Sequence, residues 1–230
     1  MSYKIKYGEN GEIECVSIPL KNSEIAFCKE FAQKCTATNQ DQYRLRNQHD
    51  PEMIQLQIYY GKIAEVAVCR FLRSQGLQVS APDFGIYSKE AKSWARDMVC
   101  IKDGVTYPIH SKCTTLETKR LYTLSWIVQF GGIGRGHLDK EIFEAKSGLM
   151  ACCCPNEDDE NVIDIYGFIP VSDLHEHHLL KMPGKNALKG TKRALYYCDV
   201  RVVEHNEELN LRWSFITPKI PTTNPPEISI

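Results

Sequence analysis

The chain of 230 residues predicts an α/β domain built on a mixed central β-sheet flanked by helices. Three observations predict it. A long amphipathic run follows Asp50, a succession of short apolar runs separated by turn residues follows that, and 43% hydrophobic content supplies a core.

The elements follow in order. Residues 1–20 read as a short irregular or strand-like arm, and residues 23–47 as a moderately amphipathic first helix. Asp50-Pro51-Glu52 starts a second helix over 50–74, with Asp as cap, Pro at the first helical position and an acid in the first turn. Strands are predicted over 78–87, 96–101, 106–114, 121–130, 147–154 and 162–169. A helix after Ser172 and late strands over 194–203 and 209–216 complete the series. Asp103-Gly104 is a tight-turn signal joining two neighbouring strands, and the acidic run 156–161 separates two more. Residues 1–216 therefore read as one domain with an N-terminal helical region. Residues 217–230, with Pro218, Pro221, Pro225 and Pro226, read as an extended arm.

The chemistry concentrates at the hairpin. Asp97 opens its first strand and Lys112 lies near the end of its second. Alternation puts His110 and Lys112 on one face and Ser111 on the other, with Asp97 able to reach the same side from the adjacent strand. A second acid comes from the long helix. Ile54, Ile58, Gly61, Glu65, Val68 and Leu72 form one stripe, and Glu65 is its sole charged member. An ionised carboxylate on a packing face needs a cation, a lysine or a metal; the plainer alternative is a salt bridge at the stripe's edge. A carboxylate that holds a divalent cation beside a lysine that stabilises charge is the equipment of metal-assisted phosphodiester hydrolysis. Asp83, in Pro82-Asp83, is a rival to Asp97, placed further from Lys112 and read as a nearby supporting acid.

The order helix glutamate, strand aspartate, hairpin, then a strand carrying Ser111-Lys112 resembles the PD-(D/E)XK nuclease superfamily, the type II restriction endonuclease-like fold, over roughly residues 51–130. The resemblance implies that Asp97 is the metal-binding aspartate, Lys112 the catalytic lysine and Glu65 the helix glutamate. His110 departs from the pattern, standing where the family usually carries Glu or Asp. Imidazole is a poor ligand for hard Mg²⁺, so Glu65 is the candidate for the second oxygen donor, helped by the carbonyl of His110 or Ser111. His110 itself is left to tune the site or act as a base. The implied activity is Mg²⁺-dependent cleavage of double-stranded DNA to 5′-phosphate and 3′-hydroxyl ends by a homodimer acting at a short palindromic site. Two other classes remain: a DNA-binding protein on the nuclease fold without catalysis, and a structure-specific repair or recombination nuclease.

With a net charge of -1 the whole molecule is no polycation, so DNA contacts are sought locally. Residues 181–193 read as a Gly/Pro-containing loop with five positive charges and no acid; Lys185, Lys189, Lys192 and Arg193 are its candidate phosphate contacts, and an ordinary solvated loop is the alternative. Arg135 in the glycine-rich run 131–137, and Lys119 and Arg120 beyond the lysine strand, add further candidates. No secretory signal or membrane-spanning run is visible, which predicts a cytoplasmic protein without membrane contact. The ten cysteines lack the CxxC spacing of a zinc site and read as reduced core residues. His175 and His178 share a helical face but read as a solvated surface.

Overall fold

The computed structural model of the protein describes residues 3–38, 43, 49–86, 97–131 and 139–219. Strands β1 (Lys4–Tyr7) and β2 (Ile13–Pro19) lead into helix α1 (Asn22–Thr38), and the long helix α2 spans Pro51–Ser74. Its start obeys the sequence: the Asp50 carboxylate accepts hydrogen bonds from the amides of Glu52 (3.0 Å) and Met53 (3.2 Å), and Pro51 needs no partner there. The burial is wider than one stripe. Residues 63–72 are buried all round, because α1 packs on one side of α2 and the sheet on the other.

Seven strands form the main sheet in the order β1-β2-β8-β7-β5-β4-β3, where β3 is Gln78–Val79, β4 Met98–Lys102, β5 Val105–Cys113, β7 Leu149–Pro155 and β8 Val162–Pro170. Every pair is antiparallel except β5 with β7, so the sheet is mixed as predicted. The β4–β5 turn has Asp103 and Gly104 both at positive φ (52° and 77°), the backbone a two-residue hairpin requires. A second, smaller sheet, β6 (Ser125–Gln129), β10 (Lys192–Tyr196) and β9 (Leu180–Lys181), is ordered β6-β10-β9 and packs against the main one.

Alternation sorts the core into two layers. Ile109, Leu149, Ala151 and Cys153 face α2 together with Val66, Phe71 and Trp213. Met150, Cys152 and Cys154 face the other way, against Trp126, Val128 and Ile142 of the smaller sheet and its neighbouring turn. The consecutive cysteines 152–154 thus divide between the layers as side chains on one strand must. All ten cysteines are free thiols, and burial pushes Cys15, Cys28 and Cys154 up to about 12, which makes them inert packing groups.

Four expectations are corrected. The predicted strand over 78–87 ends at Val79, because the Asp83 carboxylate turns the chain by accepting from the Gly85 amide at 2.8 Å. The first part of 121–130 belongs to a short helix α3 (Leu116–Tyr122), capped by the Thr115 hydroxyl, and the strand β6 joins the small sheet. The late strand over 194–203 is β10 followed by a helix, where Val200 and Glu204 share a buried face four residues apart. That helix, α5 (Tyr197–Asn206), follows α4 (Val171–Glu176), the short helix expected after Ser172. No strand covers 209–216; the segment turns so that Arg212 pairs with Glu204 at 2.8 Å and Trp213 enters the core. The arm is described only to Lys219, and residues 220–230 lie outside the described residues.

Candidate active site

The site begins where β4 stops. β4 pairs with β5 only as far as Met98 opposite Ile109, whereas β5 runs on to Cys113, bonded on its other side to β7. Among the described residues no strand pairs with the edge of β5 from His110 to Cys113, which leaves a notch in the described sheet. Asp97 fills its rim: the Asp97 amide donates to Ile109 O at 3.1 Å, and its Oδ2 accepts from the Ser111 amide at 2.7 Å. A side-chain oxygen thus satisfies the β5 amide that the missing strand would have met. The Asp-Gly hairpin fixes this register, so the sequence itself aims Asp97 at Ser111.

On the α2 side of the notch lies Glu65. It is 6% exposed, and Lys62 one turn earlier donates to its Oε2 at 2.7 Å and to Asp83 O at 2.7 Å. Burial pushes the Glu65 carboxyl up to about 8; Lys62 opposes that, and the charges of Asp97 and then Asp83 add to it. Burial works against the charge on Lys62, but Glu65, Asp97 and Asp83 together outweigh it and raise the amine. Among the described residues the Glu65, Asp97 and Asp83 carboxylates act on the one Lys62 ammonium, and buried Glu65 holds a proton.

On the opposite side of the sheet, His110 and Lys112 point toward the small sheet. Lys112 Nζ is 3.1 Å from Asp139 Oδ2, and the same oxygen accepts from the Gln129 amide at 3.1 Å. Burial alone would raise the Asp139 carboxyl, yet the Lys112 charge and the Gln129 amide hold it below the usual range. His110 is 4% exposed, with Nε2 3.4 Å from Glu141 Oε2. Burial first and the Lys112 ammonium second lower its basicity, against Asp97 and Asp139, so the imidazole is neutral at neutral pH.

The four predicted side chains thus do not sit on one face. Glu65 belongs to the α2 layer and Lys112 to the other, by the alternation of β5. Asp97 is the shared member: its charge is felt by Glu65 and Lys62 on one side and by His110 on the other. Asp83 lies nearby, accepting from Lys62 through its carbonyl and adding its charge at Glu65. Among the described residues no group of three or more His, Cys, Asp or Glu side chains is arranged to hold a metal ion. Mg²⁺ commonly takes one or two carboxylates and completes its shell with water and substrate phosphate, so Glu65 and Asp97 fit such an ion by charge and donor type.

Four contributors escape the sequence reading: Lys62, Asp139, Glu141 and Gln129. Lys62 stands one turn from Glu65 and is within reach of an i,i+3 rule. The others come from distant segments with no local signal.

The basic candidates are dispersed. Lys119 pairs with Glu157 at 3.0 Å, Lys192 donates to the Gln129 side chain, and Arg193 lies 3.8 Å over the Phe130 ring. Lys192 and Arg193 stand in β10 rather than in a loop, and Lys181 is in β9. Arg120, Lys185 and Lys189 are exposed, and Arg135 lies outside the described residues. His175 meets Ile142 O at 2.7 Å and His177 meets Glu207 at 3.3 Å, so each has its own partner. No described helix is long and apolar enough to cross a membrane. Compared with known protein families, curated proteins and solved structures, the chain matches none.

Proposed function

We propose that the protein is a Mg²⁺-dependent endonuclease of double-stranded DNA with a restriction endonuclease-like fold, hydrolysing phosphodiester bonds at a short specific site as a homodimer. One observation carries this reading: Asp97 stands at a notch in the sheet and couples electrostatically to Glu65 through one face and to the His110–Lys112 side through the other. The burial of the Glu65 carboxyl is the second support, because a divalent cation would supply the charge that a proton now supplies.

In this reading Glu65 and Asp97 hold the ion, which when bound polarises the scissile phosphate and makes its water more acidic. Asp97 is oriented by the Ser111 amide, so one carboxylate oxygen is committed to the strand and the carboxylate cannot swing away. Lys112 presents its ammonium to the phosphate and offsets the charge that grows on its oxygens. His110, neutral and buried, fills the place of a carboxylate without adding charge beside Lys112. Lys185, Lys189 and Arg120, exposed on loops and a helix end, are the proposed contacts to the DNA backbone.

The imidazole at position 110 specifically favours a second reading, a DNA-binding protein that has lost hydrolysis. Supercoiled plasmid incubated with the protein separates the two. The endonuclease reading expects linear or nicked product with Mg²⁺, a fixed set of cut positions, and none with chelator. Tight DNA binding without any cleavage over a range of divalent ions would reject it in favour of the second.

A further inference from the structure

Resting on the nuclease reading, we propose that Asp139 is a positioning residue for Lys112, holding its ammonium at the notch before substrate arrives. Asp139 is anchored from several directions. Its amide donates to Gln129 O at 3.0 Å and its Oδ2 accepts from the Gln129 amide, so it closes the end of β6 in both senses. Its carbonyl accepts from the amides of Ile142 and Phe143, each at 3.0 Å, and so opens the single π-helical turn Glu141–Ala145.

That turn is itself fixed. Ile142 is fully buried, Phe143 packs edge-on against Phe130 at 5.1 Å and against His175 at 6.1 Å, and His175 meets Ile142 O at 2.7 Å. Arg193 covers Phe130 from β10. A carboxylate on so rigid a mount, 3.1 Å from Nζ, does more than neutralise a lysine. Lysine's flexible stem carries rotamer entropy, and a fixed partner removes part of that cost from the reaction coordinate.

The competing role is plain tethering, with the ion pair fastening residues 139–145 to the sheet. Single-turnover cleavage by wild type, Asp139→Asn, Asp139→Glu, Lys112→Ala and the Asp139→Asn/Lys112→Ala double variant distinguishes the two. Positioning predicts a rate ~10–100-fold lower for Asp139→Asn, DNA affinity in Ca²⁺ within about threefold of wild type, and substantial recovery with Glu. It also predicts a double variant no slower than Lys112→Ala, since Asp139 acts through that amine. An unchanged rate in Asp139→Asn, or a further loss in the double variant, overturns the proposal. An independent readout needs no cleavage: the ζ-ammonium NMR signal of Lys112 in DNA-free protein is expected in wild type and lost in Asp139→Asn. If that signal persists in the variant, positioning fails whether or not the protein cuts DNA. If wild type cuts nothing while the signal depends on Asp139, the nuclease reading falls and the positioning stands.

Discussion

Lys112→Ala is expected to lower single-turnover DNA cleavage by about 10²–10³-fold or more while leaving the fold intact. The magnitude comes from removing a charge that meets the phosphate only as negative charge develops on it. A second penalty follows from the geometry. Asp139 keeps its carboxylate beside the notch through the Gln129 amide, so the truncated variant presents a negative group to a negative substrate where wild type presents a balanced pair. Stability should fall somewhat, because the largely buried Asp139 loses the Lys112 ammonium and keeps only the Gln129 amide among the contacts described for its carboxylate. Lys112→Arg should recover only part of the rate, since a planar fork cannot occupy the place of a compact ammonium. Circular dichroism and thermal melts establish the fold, and quenched-flow or gel-based cleavage gives the rate. Wild-type cleavage by Lys112→Ala would remove the lysine from the mechanism.

Glu65→Gln should flatten the pH dependence of stability and weaken Mg²⁺ binding. The carboxyl ordinarily ionises near 4.5 and is pushed up to about 8 by burial and its neighbours. Between those values the unfolded chain has released the proton and the folded protein has kept it. The folded state therefore binds more protons, and stability is lost as pH rises from about 4.5 to about 8, after which the loss is complete. At neutral pH the penalty is on the order of a few kcal/mol. A neutral amide escapes it. Lys62 keeps the Asp83 carbonyl at 2.7 Å and the charges of Asp97 and Asp83, so it is not abandoned. Glu65→Gln should therefore flatten the pH dependence of stability, the relieved penalty being set against the lost Lys62 ion pair. Mg²⁺ affinity should fall about a hundredfold or more, and the proton that wild type releases on binding the ion should disappear. Denaturant melts across pH and calorimetry in buffers of different ionisation enthalpy measure both. A Gln variant that is less stable at every pH, with unaltered Mg²⁺ affinity, would show that Glu65 serves only its ion pair.

How much was legible in the sequence divides along the distance over which each contact acts. The Asp50 cap, the Asp103-Gly104 turn and the alternation of β5 are local, and residues a few positions apart decide them. The register that sets Asp97 against Ser111 and the face on which Lys112 stands were legible for that reason. The depth of α2 was not, because α1 covers its second side and no periodicity within α2 announces a neighbour. Nor was the sidedness of the site. Glu65 and Lys112 were expected to converge on one face, and nothing in the sequence states that the pairing of β4 with β5 ends at Met98 opposite Ile109. The late segments misled for a related reason: Val200, Val202 and Val203 carry strand propensity, but Glu204 is drawn into a buried pair with Arg212 and the helix wins. Asp139 and Glu141 follow a glycine-rich run that advertises a loop, and only the folding of β6 against the main sheet brings them to Lys112 and His110.

The account turns on a notch where two layers reach one ion. Mn²⁺ substitutes for Mg²⁺ and broadens NMR signals steeply with proximity, which makes it the most direct probe. Titrating it into the DNA-free protein should erase the amide signals of Ser111, Asp97 and Glu65 first, with Lys112 on the opposite face close behind, and should spare β1 at the far edge of the sheet. Broadening confined to one layer, centred elsewhere, or absent at concentrations that support cleavage would contradict it.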